Sequence, residues 1–164
     1  MTKTSKMSHK FNLYLGEAGQ AAATSYFLAR GWNVATPKVD IGDDLFVIED
    51  QEGFFFRIQV KTAQSLERKD RFGVRYSISL KQLQNRYNPE LYYIFMVYRH
   101  NEWSNKIIID RSNLLSMFLN HNIGSVLGEN LVLYFTFQDA KVLCSGVDIS
   151  DYRNNFEDFP VIEH

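Results

Sequence analysis

The sequence predicts an α/β protein with a mixed central sheet flanked by helices and with additions toward the C-terminus. Three observations point there. Small and apolar residues recur at helical spacing near the start of the chain. Two alternating strand-like segments follow, joined by a short link. The stretch LYYIFMVY, 91–98, is almost wholly apolar, as a strand covered on both faces must be. Helix, strands, helix and strand in that order bury such a sheet from both sides.

The first helix is expected from about Asn12 to Arg30, where Leu15, Ala18, Ala22, Tyr26 and Ala29 share a face and Gly31 provides a C-terminal stop. WNVAT reads as a short strand ended by Pro37. DLFVIED and FFFRIQVKT read as two longer strands, and the short glycine-ended link DQEG makes them an antiparallel hairpin. FGVRYSI reads as a further strand. Ser79 to Gln82, SLKQ, has the form of a capping box, with Leu80, Leu83 and Tyr87 on one helical face and Asn88-Pro89 as the stop. After the apolar strand come KIIID as a strand, a helix capped by Asp110 and running to about Asn120, LVLYFTF as a late strand, and an irregular aromatic tail from Ser145 that packs over the surface. IGSVLG, 123–128, lacks a phosphate-loop lysine and reads as a turn.

Length and composition bound the function. At 164 residues with 45% hydrophobic content, one domain with one sizeable core is expected. We divide it into a flexible basic arm, 1–11, carrying Lys3, Lys6 and Lys10, and a single domain, 12–164, with a core over about 12–100 and a C-terminal extension over about 101–164. The net charge of -1 excludes nucleic-acid binding by bulk basicity, so such a ligand needs a local patch. The single cysteine, Cys144, allows no internal disulfide and fits a reducing, cytoplasmic setting. No apolar run is long enough to span a bilayer, so no membrane partner is expected.

The chemistry concentrates on FRIQVKT, 56–62. Alternation puts Phe54, Phe56, Ile58 and Val60 on one face of the strand and Phe55, Arg57, Gln59 and Lys61 on the other. Gln59 and Lys61 therefore project side by side, about 7 Å apart along the strand. Asp44 directly precedes the neighbouring apolar strand and can lie beside them, whereas Asp40 and Asp43 read as turn formers. Glu17, after Gly16 in the first helix, is a further acid that packing on the sheet could aim at the same place. Phosphodiester hydrolysis needs a hard cation with oxygen ligands. In this reading Asp44 is the charged ligand, the Gln59 carboxamide oxygen a neutral one, and Glu17 binds directly or through water. Lys61 steers the attacking water and offsets charge on the phosphorane-like transition state. The segment from Arg57 to Arg86 carries eight basic residues against two acidic ones. Within it Arg57, Arg68, Lys69, Arg71 and Arg75 are the candidate contacts to a phosphate backbone, with LERKDRFG as the DNA-facing tip.

GE at 16–17, DIGDDL at 40–45 and IQVKT at 58–62 together resemble the PD-(D/E)xK nuclease superfamily, over about residues 12–100. The resemblance implies the restriction-endonuclease-like αβββαβ core. It puts Asp44 in the place of the metal-binding aspartate and Lys61 in that of the lysine. Glu17 takes the place of the helix glutamate of the Holliday-junction-resolvase-like branch. Gln59 departs from the usual acidic residue, and Mrr-like nucleases share a Q-x-K arrangement. The resemblance implies Mg²⁺- or Mn²⁺-dependent cleavage of DNA, in repair, recombination or defence. Many nucleases of that fold cut two strands as homodimers, though no stretch here marks a seam. The alternative reading is a catalytically inactive nucleic-acid- or protein-binding module on the same fold.

Overall fold

The computed structural model describes the backbone of residues 3–164 and side chains from His9 onward. Helix α1 (Lys3–Leu28) begins before the expected Asn12, so the stretch expected as a basic arm is helical from Lys3; residues 1–2 and the side chains up to residue 8 lie outside the described residues. Leu15, Gly19, Ala23 and Phe27, each four residues apart, form its buried stripe. The turn after it places Gly31 at φ 85°, a conformation glycine adopts without strain.

The strands β1 (Asn33–Ala35), β2 (Leu45–Ile48) and β3 (Phe55–Gln64) follow, and β2 and β3 form the expected antiparallel hairpin. Then come β4 (Leu66–Glu67), β5 (Phe72–Ser79) and α2 (Leu80–Gln84), β6 (Leu91–Arg99) and β7 (Glu102–Asp110), and α3 (Arg111–His121). The chain continues with β8 (Ser125–Leu127), β9 (Asn130–Gln138), β10 (Lys141–Cys144), β11 (Val147–Asp148) and a 3₁₀ turn at Ser150–Tyr152. The central sheet has the order β1-β2-β3-β6-β7. It is mixed because β3 and β6 run parallel while the other pairs are antiparallel.

Helices flank this sheet on both sides, as expected, α1 on one face and α2 and α3, through Leu83 and Leu114, on the other, where they share the cover with a second sheet. On one face, Ile58, Val60, Ile94 and Met96 pack beneath α1 and against Trp32 and Phe159. On the other, Tyr93, Phe95, Val97, Ile107 and Ile109 meet a second, antiparallel sheet of order β11-β10-β9-β5-β4, with β8 on β9. The FGVRYSI strand belongs to that second sheet: Phe72, Val74, Tyr76 and Ile78 face inward and β9 pairs it from Phe72↔Phe137 to Ser79↔Asn130. IGSVLG is not simply a turn but supplies β8. The apolar strand β6 is central and buried on both sides, as expected.

Helix α2 is only five residues long and stops at Asn85, short of the expected Asn88-Pro89. Ser79 does cap it, accepting from Gln82 N–H at 3.2 Å, but the reciprocal half of the capping box is missing because the Gln82 side chain points elsewhere. Asp110 caps α3 as expected, its Oδ1 accepting from Asn113 N–H at 2.9 Å. The tail is tied down: Trp32 Nε1–H donates to Pro160 O at 2.7 Å, and Phe159 is fully buried among Phe27, Trp32, Phe56 and Tyr92. Among the described residues, no helix is long and apolar enough to cross a membrane.

Candidate active site

The site begins where two paired strands part. Pairing of β2 with β3 ends at Leu45↔Ile58, while β3 runs on to Gln64 with β6 along its other edge. Asp44 sits at the parting. Its backbone N–H donates to Ile58 O at 2.8 Å, and its side-chain Oδ2 accepts the Val60 N–H at 2.7 Å. An aspartate thereby satisfies a β3 donor that β2 no longer reaches. The same Oδ2 accepts from Gln59 Nε2 at 2.5 Å, and Oδ1 has no hydrogen-bond partner among the described residues. Burial raises the Asp44 carboxyl above the usual aspartate range. The Val60 N–H, the Lys61 ammonium and the Gln59 amide oppose that rise without cancelling it, and Asp40 adds to it.

Asp44, Gln59 and Lys61 line one open cleft of about 560 Å³, together with Asp40, Lys81 and Gln82. Lys61 makes no ion pair within 4.0 Å among the described residues, so its ammonium is free to meet an anion in the cleft. Gln59 is 7% exposed, and both ends of its amide have a partner: an ionised carboxylate only accepts, so the NH₂ group turns to Asp44 and Oε1 turns to Gln82 Nε2, at 3.0 Å. Gln82 Nε2 also donates to Gly42 O at 2.6 Å, and Gln82 Oε1 accepts from Tyr93 Oη at 3.2 Å. An amide relay therefore runs from Tyr93 through Gln82 and Gln59 to Asp44. The Gln59 carboxamide oxygen, expected as a neutral cation ligand, accepts from Gln82 here, which leaves it one lone pair.

Glu17 is corrected as well: it does not line the cleft. The reason is the seating of α1. Gly19 lies so close to β3 that a Cβ there would meet Thr62 Cγ2 at 1.9 Å, which fixes the rotation of the helix. Glu17, two positions earlier, is turned by about 200° from that contact and is exposed. Helix α1 also covers the face of β3 that carries Ile58, Val60 and Thr62, opposite the face of Gln59 and Lys61.

Arg57, expected to hold a phosphate, is half-buried and paired within the protein. It pairs with Asp43 at 3.0 Å and lies over the Tyr87 ring, 5.2 Å from its centroid. Asp43 is buried, and its second oxygen has no hydrogen-bond partner. Arg68, Lys69, Arg71 and Arg75 are exposed and form no ion pair among the described residues. The reading by motif overlooked Asp40 and Gln82. Asp40 forms the expected turn, its Oδ1 accepting from Gly42 N–H at 3.0 Å, and it also lines the cleft. Gln82 was visible only as a capping residue.

A divalent cation fits the donor set narrowly. Among the described residues, no three His, Cys, Asp or Glu side chains converge, so only Asp44 Oδ1 and Asp40 offer carboxylate oxygens. One or two carboxylates with retained waters is the usual environment of Mg²⁺.

Compared with known proteins, the chain matches no family model and no curated protein. Among solved structures it is similar to a bacterial homing endonuclease, I-Ssp6803I, with 19% sequence identity and a TM-score of 0.51 over 87% of this chain and 86% of that one. At that identity the likeness shows a shared α/β fold.

Proposed function

We propose that the cleft hydrolyses DNA phosphodiester bonds with the help of a divalent cation, in the manner of the PD-(D/E)xK nucleases. The observation that carries this reading is the presentation of Asp44. Gln59 and the Val60 N–H hold one carboxylate oxygen, the other stays free, and Lys61 stands unpaired in the same cleft. The fold shared with a homing endonuclease supports it.

Asp44 would hold the cation, with Asp40 as a second carboxylate. Bound there, Mg²⁺ or Mn²⁺ supplies polarisation of the phosphate and a lowered pKa for water. Gln59 orients Asp44 rather than ligating. Lys61 donates to a non-bridging phosphate oxygen and offsets the charge that grows on it as the P–O bond breaks. Glu17, on the outer side of α1, acts only through solvent.

The test is cleavage of linear, branched and single-stranded DNA in Mg²⁺ or Mn²⁺. Wild type cuts in the presence of cation and not in chelator. Lys61→Ala lowers the rate by about 10²–10³-fold, the size expected when one preorganised charge-stabilising group is lost. Equal cutting by Lys61→Ala removes Lys61 from the mechanism.

Two observations favour a second reading, a binding module without catalysis: the Gln59 oxygen is tied to Gln82, and the cleft holds two acids rather than three. That reading predicts DNA binding indifferent to divalent cations and to Asp44→Ala.

A further inference from the structure

We infer that a notch at the far end of β5 from the cleft binds a backbone phosphate of double-stranded DNA about six nucleotides from the bond that is cut. This rests on the reading of the cleft as the hydrolytic centre and adds the path of the substrate across the protein. The notch, about 230 Å³, is lined by Arg68, Arg71, Gly73, Tyr134 and Thr136, and by Phe72. Its two guanidinium groups come from the β4–β5 turn, closed by Arg68 N–H donating to Arg71 O at 2.8 Å. Leu66↔Gly73 pairing and strand alternation put both arginines on the outward face of the second sheet, with Gly73.

Nothing acidic competes inside the notch. Glu67, the acid beside Arg68, belongs to the opposite face, where Arg99 holds it with two hydrogen bonds of 2.9 Å each. Asp70 sits at the tip of the turn and does not line the notch. Two hydroxyls complete the site. Thr136 is paired with Gly73, and the Tyr134 phenol lies over Gly73 so closely that a Cβ there would meet Oη at 1.9 Å. Paired guanidinium forks with hydroxyl donors suit a phosphate, whose oxygens only accept.

The notch and the cleft share one strand. Gly73, Arg75, Ser77 and Ser79 alternate onto the outward face of β5, and Ser79 lines the cleft. Six residues of strand span about 20 Å. At 3.4 Å of rise per nucleotide that is about six nucleotides. Arg75, exposed midway, faces the same backbone.

The experiment is phosphate-ethylation interference on a randomly ethylated duplex, read with wild type and with the double variant Arg68→Ala/Arg71→Ala. Cut products report cleavage, and retarded complexes report binding. Wild-type cutting is suppressed by ethylation five to seven nucleotides from the cut, and the double variant loses that signal. The double variant also binds duplex more weakly, and its slope of log affinity against log salt is shallower by about 1, as for one lost phosphate contact. Interference confined to phosphates flanking the cut, or a distant signal that persists in the double variant, overturns the notch and leaves the cleavage reading intact. If wild type binds duplex without cutting, the cleavage reading fails alone. The notch then stands or falls on whether affinity and salt slope change in the double variant. A protein that binds no duplex overturns both.

Discussion

Gln59 and Gln82 decide how Asp44 meets the cleft, because a carboxylate held by one oxygen presents the other in a fixed direction. Replacing Gln59 with glutamate adds an acid beside Asp44 and should tighten Mn²⁺ binding by on the order of tenfold, since affinity in oxygen-ligand sites follows ligand charge. Calorimetry of Gln59→Glu against wild type checks this. Gln82→Leu removes the donor to Gly42 O and to Gln59, and should lower the cleavage rate while leaving DNA affinity unchanged. Glu67 gives a pH signature apart from the cleft. Hydrogen bonds from Arg99, and then Ser65, hold its carboxyl down to about 2 from the usual 4.5. A depressed carboxyl contributes stability that is fully present above about 4.5 and is lost as pH falls toward 2. Glu67→Gln should flatten the stability-against-pH curve in that window, and chemical-shift titration of Glu67 reads the midpoint directly. At this scale the shared face of Gln59 and Lys61 follows from strand alternation, and the place of Asp44 beside them from the hairpin that pairs Leu45 with Ile58. Arg57 and Gln82 were not, because their partners, Asp43 and Gly42, are reached only by folding the 40–44 loop back on β3.

The elements were legible wherever local pattern decides and illegible wherever a choice of partner does. The β2–β3 hairpin and the Asp110 cap follow from adjacent residues. The sheet to which β5 belongs does not, since Phe72, Val74, Tyr76 and Ile78 alternate identically whichever sheet receives them. The seating of α1 gives a paired prediction. Gly19→Ala should destabilise the protein by about 1–3 kcal/mol, the usual cost of overpacking, because the new methyl would meet Thr62 and also crowd Trp103. Gly16→Ala, whose Cβ enters open space, should be neutral or stabilising by up to about 1 kcal/mol. Denaturant unfolding of the two variants against wild type measures both. Equal effects would mean that α1 does not ride on β3 at Gly19.

The whole molecule is two cores on either side of one sheet, and both draw on the C-terminal part of the chain. The segment expected as an extension, about 101–164, supplies β9 and β10 to the inner core and Phe159 to the core beneath α1. Composition could not show this, because the late strands read equally well as additions. Phe159→Ala should cost about 3–5 kcal/mol, as for other fully buried aromatic truncations, and denaturant unfolding measures it. That cost would show that the tail completes the domain that positions the cleft. Whether the cleft takes a cation is the question on which the functional account turns. Calorimetric titration of Mn²⁺ into wild type and into Asp44→Asn answers it most directly. Wild type should bind Mn²⁺ and the substitution should abolish that binding, while the variant keeps its fold by circular dichroism. Equal binding by a folded Asp44→Asn, or no binding by wild type, would contradict it.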